Sequence, residues 1–163
     1  MSIRLRPTRE TDLTFVLSEE QDAANRPFVR SWTYDQHLEA LESRDLDHSI
    51  VARMDDDSRV GYLILAGLTD GNQNIEFRRI VITEKNQGYG RVAVCLVKKR
   101  AFEELKAHRL WLDVKEHNSR ARHLYQSEGF RTEGILRECV KADHGFESLV
   151  VMSILRDEYF ALV

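Results

Sequence analysis

The sequence predicts an α/β (α+β) domain built in the order β-α-α-β-β-β-α-β-α-β-β. Three observations predict it. The apolar residues switch repeatedly between a period of two, which lines one face of a strand, and a period of about 3.6, which lines one face of a helix. Gly, Asp and Pro residues stand where the period changes. The 163 residues are 42% hydrophobic and 31% charged, the composition of one soluble core over residues 1–163, with no stretch that reads as a linker or a repeat.

Ile3 to Arg6 alternates apolar and basic residues as a half-buried strand does, and Pro7-Thr8 ends it before a helix carrying Leu13, Val16 and Leu17. Thr33 stands three residues before Gln36, a capping-box spacing, and opens a short second helix with Leu38 and Leu41 as its apolar face. Ser49 to Ala52 and Val60 to Leu65 read as a hairpin around the turn Asp55-Asp56-Asp57-Ser58. Asp70-Gly71 leads into a third strand, Ile75 to Ile82, rich in β-branched residues. Gly88 and Gly90 precede a long helix whose apolar positions run from Val92 to Leu105. Arg109 to Val114 alternates again, Ser119 to Glu128 is a helix stopped at Gly129, and Phe130 to Val140 with Phe146 to Leu155 form a terminal hairpin.

With 24 Lys and Arg against 27 Asp and Glu, a net charge of -3 gives no global drive toward nucleic acid or an anionic membrane. The longest apolar runs, such as Val60 to Leu68, fall short of the roughly 20 residues a membrane span needs, and the first six residues lack a secretory apolar stretch. The expectation is a cytoplasmic protein with neither nucleic acid nor membrane as a partner. Cys95 and Cys139 make neither a disulfide framework nor a zinc pattern, so reduced, buried thiols and no metal are expected. His117 and His123 are spaced without metal-ligand logic, and His108 and His144 fall near turns, which suits surface or capping roles.

The most informative segment runs from Ile80 to Arg91, a strand that passes through a glycine loop straight into a helix. Lys85 and Arg91 bracket it with positive charge, and the free N–H groups of a helix's first turn suit an anion. A purely structural turn also uses glycine, so this segment alone leaves both readings open. No Gly-Lys-Ser/Thr follows, and the third glycine of a dinucleotide fingerprint is missing.

The second informative segment is Asn118 to Phe130. Together with the loop Lys85-Asn86-Gln87-Gly88-Tyr89-Gly90 and the strand Leu112-Asp113-Val114, it resembles the GNAT N-acetyltransferase superfamily. That family writes the loop Arg/Gln-x-x-Gly-x-Gly/Ala and the later motif Asn-x-x-Ala-x-x-Leu-Tyr-x-x-x-Gly-Phe. Asn118, Ala121, Leu124, Tyr125, Gly129 and Phe130 match, and Lys85 departs from the usual first loop residue. The resemblance covers nearly the whole chain and implies a mixed, mostly antiparallel sheet of about seven strands with helices on both faces. It implies acetyl-CoA as co-substrate, with pyrophosphate on the loop amides of Gln87, Gly88, Tyr89, Gly90 and Arg91, and pantetheine along Ile80, Val81 and Ile82. It also implies Asn118 hydrogen-bonding near the pantetheine arm and Tyr125 beside the sulfur.

The implied chemistry is direct attack of an amine on the thioester in a ternary complex, without metal or covalent enzyme intermediate. Tyr125 is the candidate acid for the departing thiolate. Glu76, four residues before Ile80 on one strand and so expected on its face, is the candidate base. The alternative is that Glu76 pairs with Arg78 or Arg79 and a water chain removes the proton. Glu19, Glu20 and Asp22 read as a solvated helix end, a charge that would favour a cationic acceptor, with Phe28 and Trp32 offering apolar or cation–π contact. The terminal hairpin resembles the branch of ribosomal-protein N-terminal and related amine acetyltransferases. It implies a small-molecule or peptide amine as partner and is compatible with a homodimer. The reading from a different class is a catalytically silent acyl-CoA-binding sensor or scaffold; binding alone needs no acid, so Tyr125 favours the enzyme.

Overall fold

The computed structural model describes residues 2–163, and among these residues seven strands form one sheet in the order β1-β2-β3-β4-β5-β7-β6. The chain enters through β1 (Ile3–Pro7), α1 (Leu13–Gln21) and α2 (Tyr34–Glu42), then runs through β2 (Leu46–Arg53), β3 (Arg59–Ala66) and β4 (Asn74–Ile82). A crossover through α3 (Tyr89–Lys99) leads to β5 (Arg109–Lys115), followed by α4 (Ser119–Ser127), β6 (Arg131–Ala142), β7 (Gly145–Leu155) and α5 (Arg156–Leu162). The crossover makes β4–β5 parallel; the other neighbouring pairs are antiparallel.

The expected fold class and element order hold, with one addition. Helix α5 is only seven residues long, too short to show a period, yet Tyr159 is buried and stacks on Phe102 with ring centroids 5.1 Å apart. The capping box forms as expected: Gln36 N–H donates to Thr33 Oγ1 at 3.2 Å, and Thr33 N–H donates to Gln36 Oε1 at 2.8 Å. Helix α2 corrects its expected face. It buries His37 and Ala40, while Leu38 and Leu41 are only half-buried. Both thiols are exposed, not buried: Cys95 lies on the side of α3 that faces the end of α4, where its Sγ donates to Glu128 at 3.2 Å, and Cys139 lies on β6, the edge strand of the sheet.

Two apolar clusters flank the sheet. Ala93, Val94, Val97 and Phe102 pack with Leu63, Leu65, Phe77 and Leu110 on one face, and Val16 packs with Ile50, Tyr62, Ile64 and Val81 on the other. Strand β3 is covered on both faces, so Val60 to Ala66 reads as an unbroken apolar run rather than an alternation.

Two local irregularities shape the site. Strands β4 and β5 pair only at Asn74–Arg109, Ile75–Leu110 and Glu76–Trp111, and then part, leaving Phe77 to Ile82 without a partner on that side. In addition, Ile64 pairs with Arg79 but Leu65 pairs with Phe77, so Arg78 is an extra residue, a β-bulge. The bulge reverses the alternation. Glu76 therefore lies on the face of Arg79, opposite Ile80, which corrects the expectation that their spacing places them on one face.

Candidate active site

Where β4 and β5 part, two cavities open and meet. One, of about 590 Å³, lies between the end of β4, the loop before α3 and the start of α4. The other, of about 620 Å³, lies between β4, β5 and the segment joining α1 to α2. Phe28, Val29, Ile80, Asn118, Ala121 and Tyr125 line both.

Of the residues expected to bind acetyl-CoA, Ile80, Val81, Ile82, Lys85, Gly88, Tyr89, Gly90, Arg91, Asn118 and Tyr125 line the first cavity, and Gln87 does not. The side chains of Val81 and Tyr89 belong to the core, which leaves their backbones to face the cleft. Gly88 adopts φ +79°, a left-handed conformation, and caps α3; a Cβ there would meet open space. The backbone is thus open to an approaching ligand at the point where the first-turn N–H groups of α3 emerge. Lys85 Nζ donates to Asn25 Oδ1 at 2.7 Å and to the Ile82 carbonyl at 2.5 Å, and burial lowers its ammonium. Arg91 is ion-paired with Glu128. Arg120 supplies a further cation at this mouth, its guanidinium donating to Asn86 Oδ1 at 2.7 Å. That role was open to reading, because Arg120 sits two residues into the same motif as Asn118.

At the junction, Asn118 Oδ1 caps α4 by accepting from Ala121 N–H at 3.2 Å, a helix-capping contact that the expectation for this residue did not include. The Tyr125 ring packs edge-on to Phe77 and tilted on Phe130, with centroids at 6.2 and 5.7 Å. Its hydroxyl makes no hydrogen bond among the described residues, and burial pushes its pKa up, which keeps the phenol in its proton-carrying form.

On the second cavity, Glu76 is gripped by Arg78: Nε donates to both carboxylate oxygens at 3.2 Å and one terminal nitrogen donates at 3.0 Å. Of the two open pairings, the structure has Arg78. Asp113, exposed on β5, faces the same cavity without a hydrogen-bond or ion-pair partner among the described residues; partial desolvation by the cavity wall and the Glu76 charge push its carboxyl up, against the opposing Arg78 charge. The Arg79 guanidinium lies 4.7 Å from the Trp32 ring centroid, so one face of that ring is already engaged, whereas Phe28 is exposed and stands 5.7 Å from the His117 ring.

Glu20 overturns the expected solvated acidic end. It is fully buried, with Oε1 accepting from His37 Nε2 at 2.8 Å, Tyr62 hydroxyl at 2.5 Å and Arg79 at 2.8 Å, and Oε2 accepting from Trp32 N–H at 3.1 Å. His37 Nδ1 meets His48 Nε2 at 3.0 Å, and His48 Nδ1 meets Thr8 Oγ1 at 2.8 Å. Burial alone would raise the Glu20 carboxyl, but the hydrogen bonds from His37 and Tyr62 and the Arg79 charge bring it below its usual range. Burial likewise pushes His48 down to about 4.

A pH dependence of stability follows. Between pH 6.5 and about 4 the unfolded chain takes up a proton at His48 that the native protein refuses. Stability is therefore full above pH 6.5 and falls as pH drops toward 4, by up to roughly 3 kcal/mol from this group. Urea unfolding at pH 7.5 and pH 5 measures the slope, and His48→Gln should flatten it. An equal slope in the variant assigns the effect to other groups.

Among the described residues no group of His, Cys, Asp and Glu could hold a metal, and no helix is long and apolar enough to cross a membrane. Residues 2–131 match the family model of the GNAT acetyltransferase domain. The chain is 26% identical over 170 residues to the spermidine N(1)-acetyltransferase of Escherichia coli K12, spanning 98% of this chain and 89% of that protein. It is 30% identical over 125 residues to the probable N-acetyltransferase YjcK of Bacillus subtilis, spanning 76% of this chain and 69% of the relative. The crystal structure of spermidine N-acetyltransferase from Vibrio cholerae in complex with CoA and spermine superposes with a TM-score of 0.88 at 21% identity, covering 97% of this chain and 98% of that one. An open strand edge, an uncovered helix N-terminus at Gly88 and flanking cations fit an extended thioester ending in phosphates. The chain belongs to the GNAT acetyltransferase family, whose co-substrate is acetyl-CoA.

Proposed function

We propose that residues 1–163 form a single acetyltransferase domain that moves an acetyl group to a primary amine by direct attack in a ternary complex. The observation that carries this reading is the meeting of the two cavities at Tyr125. One cavity takes the cofactor, the other takes the acceptor, and the parted strands let the two touch. Acetyl-CoA supplies a thioester carbonyl that the amine nitrogen attacks, so that an N–C bond forms as the C–S bond breaks. Backbone N–H groups of the loop and of the α3 first turn hold the phosphates, Lys85 and Arg120 add charge, and the open edge of β4 orients the pantetheine arm. Tyr125 gives its proton to the leaving sulfur and is reprotonated from solvent. Starting from the ammonium, the nitrogen sheds two protons on the acceptor side, one before attack and one as the amide forms; solvent returns one to Tyr125, so the net release is one proton.

The relatives named as spermidine acetyltransferases put spermidine in the acceptor panel, beside amino-acid amides and peptide amino termini. A thiol-release assay over that panel tests the reaction. If the folded protein binds acetyl-CoA but acetylates nothing in it, the silent binding module is the better reading. At the edge of the sheet, exposed Ile135, Leu136 and Phe146 on the β6–β7 hairpin are the surface that a second copy would cover in a homodimer.

The cofactor half has its own test. Gly88 needs a left-handed conformation, which Asn tolerates nearly as Asp does, so Gly88→Asn and Gly88→Asp carry similar backbone strain and differ in charge. Gly88→Asp should weaken acetyl-CoA binding at least about tenfold more than Gly88→Asn, read by calorimetry, because only the former sets a carboxylate against pyrophosphate. Equal affinities for the two variants would place the phosphates elsewhere.

A further inference from the structure

We infer that Asp113 is the carboxylate that holds the acceptor's ammonium, and that the acceptor is a singly charged amine rather than a polyamine. This rests on the reaction proposed above. The acceptor cavity is lined by six charged residues, and their pairing decides what it can take. Arg79 is closed on Glu20 at 2.8 Å, and Lys115 is closed on Glu147 at 3.0 Å. Arg78 is held by Glu76, which fixes that carboxylate against an arginine. Asp113 is left over.

The strand parting brings this about. Glu76 pairs with Trp111 in the last β4–β5 register pair, and Asp113 lies two residues farther along β5, on the same face, where no β4 residue opposes it. Glu76, Asp113 and Arg78 together carry two negative charges and one positive, so this end of the cavity accepts a single cation. The same cavity contains Tyr125, which puts the carboxylate and the proton donor for the leaving sulfur in one space. A second ammonium on the acceptor finds no free carboxylate among the described residues lining the cavity. It finds Arg30 instead, which has no ion-pair partner among the described residues. A neutral or anionic body on the acceptor suits that wall; a second positive charge is repelled.

The test uses three ligands: a dipeptide amide with only its amino-terminal charge, the analogue with hydroxyl in place of that amine, and spermidine. Initial rates give KM for the two amines, inhibition against the dipeptide amide gives Ki for the hydroxyl analogue, and calorimetry gives acetyl-CoA affinity. Asp113→Asn should raise KM for the amide about tenfold or more while the Ki of the hydroxyl analogue and the acetyl-CoA affinity stay within about twofold. Asp113→Glu, which retains the charge, should recover part of the loss, and Arg30→Glu should lower KM for spermidine relative to that for the amide. A thermal melt of each variant separates misfolding from lost recognition. An unchanged KM for the amide in folded Asp113→Asn overturns the assignment, as does a wild-type kcat/KM for spermidine above that for every singly charged amine. In both cases the acetyltransferase reading stands. If the wild type acetylates no amine, that reading falls first and this one with it.

Discussion

Tyr125→Phe should lower kcat about a hundredfold or more and leave the fold and the acetyl-CoA affinity almost untouched. The two halves of this expectation have separate causes. The ring is held by its edge-on contact with Phe77 and its tilted contact with Phe130, and Phe reproduces both. The hydroxyl has no hydrogen-bond partner among the described residues, so its removal leaves no buried partner unsatisfied. What it removes is the proposed proton donor, carried by a residue that lines both cavities. Burial pushes the phenol pKa up, so the group stays protonated through the range in which the amine becomes nucleophilic, and the basic limb of the rate profile belongs to other groups. Single-turnover rates, which exclude product release, make the measurement. A variant with the wild-type single-turnover rate would leave Tyr125 as a packing residue.

The loop and helix starts that line the first cavity were legible in the sequence because their determinants are local. Gly88 at a left-handed turn, the helix that follows it and the Asn118 cap all lie within short motifs whose geometry their own residues dictate. The capping box at Thr33 was legible for the same reason. The second cavity was not, because its determinants are relations between distant elements. Phe77, Arg78 and Arg79 carry no bulge signal of their own; the extra residue is visible only against the register of β3, and it moves Glu76 to the face opposite Ile80. Asp113 stands within the quoted strand motif. Its lack of a partner arises where β4 and β5 cease to pair, which no spacing along β5 reveals.

Glu20 shows the same limit from the other side, and it carries the second large effect. In sequence it is one acid among Glu19, Glu20 and Asp22, the pattern of a wet helix end. Its burial is imposed by His37 from α2, Tyr62 from β3 and Arg79 from β4, which converge on it over separations of 17, 42 and 59 residues. Glu20→Ala should destabilise the protein by about 3–5 kcal/mol, because it strands Arg79 as an uncompensated buried charge and leaves the Tyr62 hydroxyl and His37 without their acceptor. Glu20→Gln retains the shape but not the charge, so it should lose somewhat less, with the buried guanidinium still unpaired. Both variants also release the Trp32 N–H, the tie that fixes the segment carrying Phe28 and Trp32 against the acceptor cavity: Ala has no acceptor, and the single Gln carbonyl oxygen is drawn to the three donors at the Oε1 position, which turns its NH2 group toward the Trp32 N–H. In the milder variant, kept folded at low temperature, KM for the amine should therefore rise by a larger factor than acetyl-CoA affinity falls, since Trp32 lines the second cavity alone, while Lys85 still holds the segment to the loop before α3 through Asn25. Urea unfolding measures the first effect and steady-state kinetics the second. A Glu20→Ala protein within about 1 kcal/mol of wild type, a change typical of an exposed site, would show that the carboxylate is wet after all.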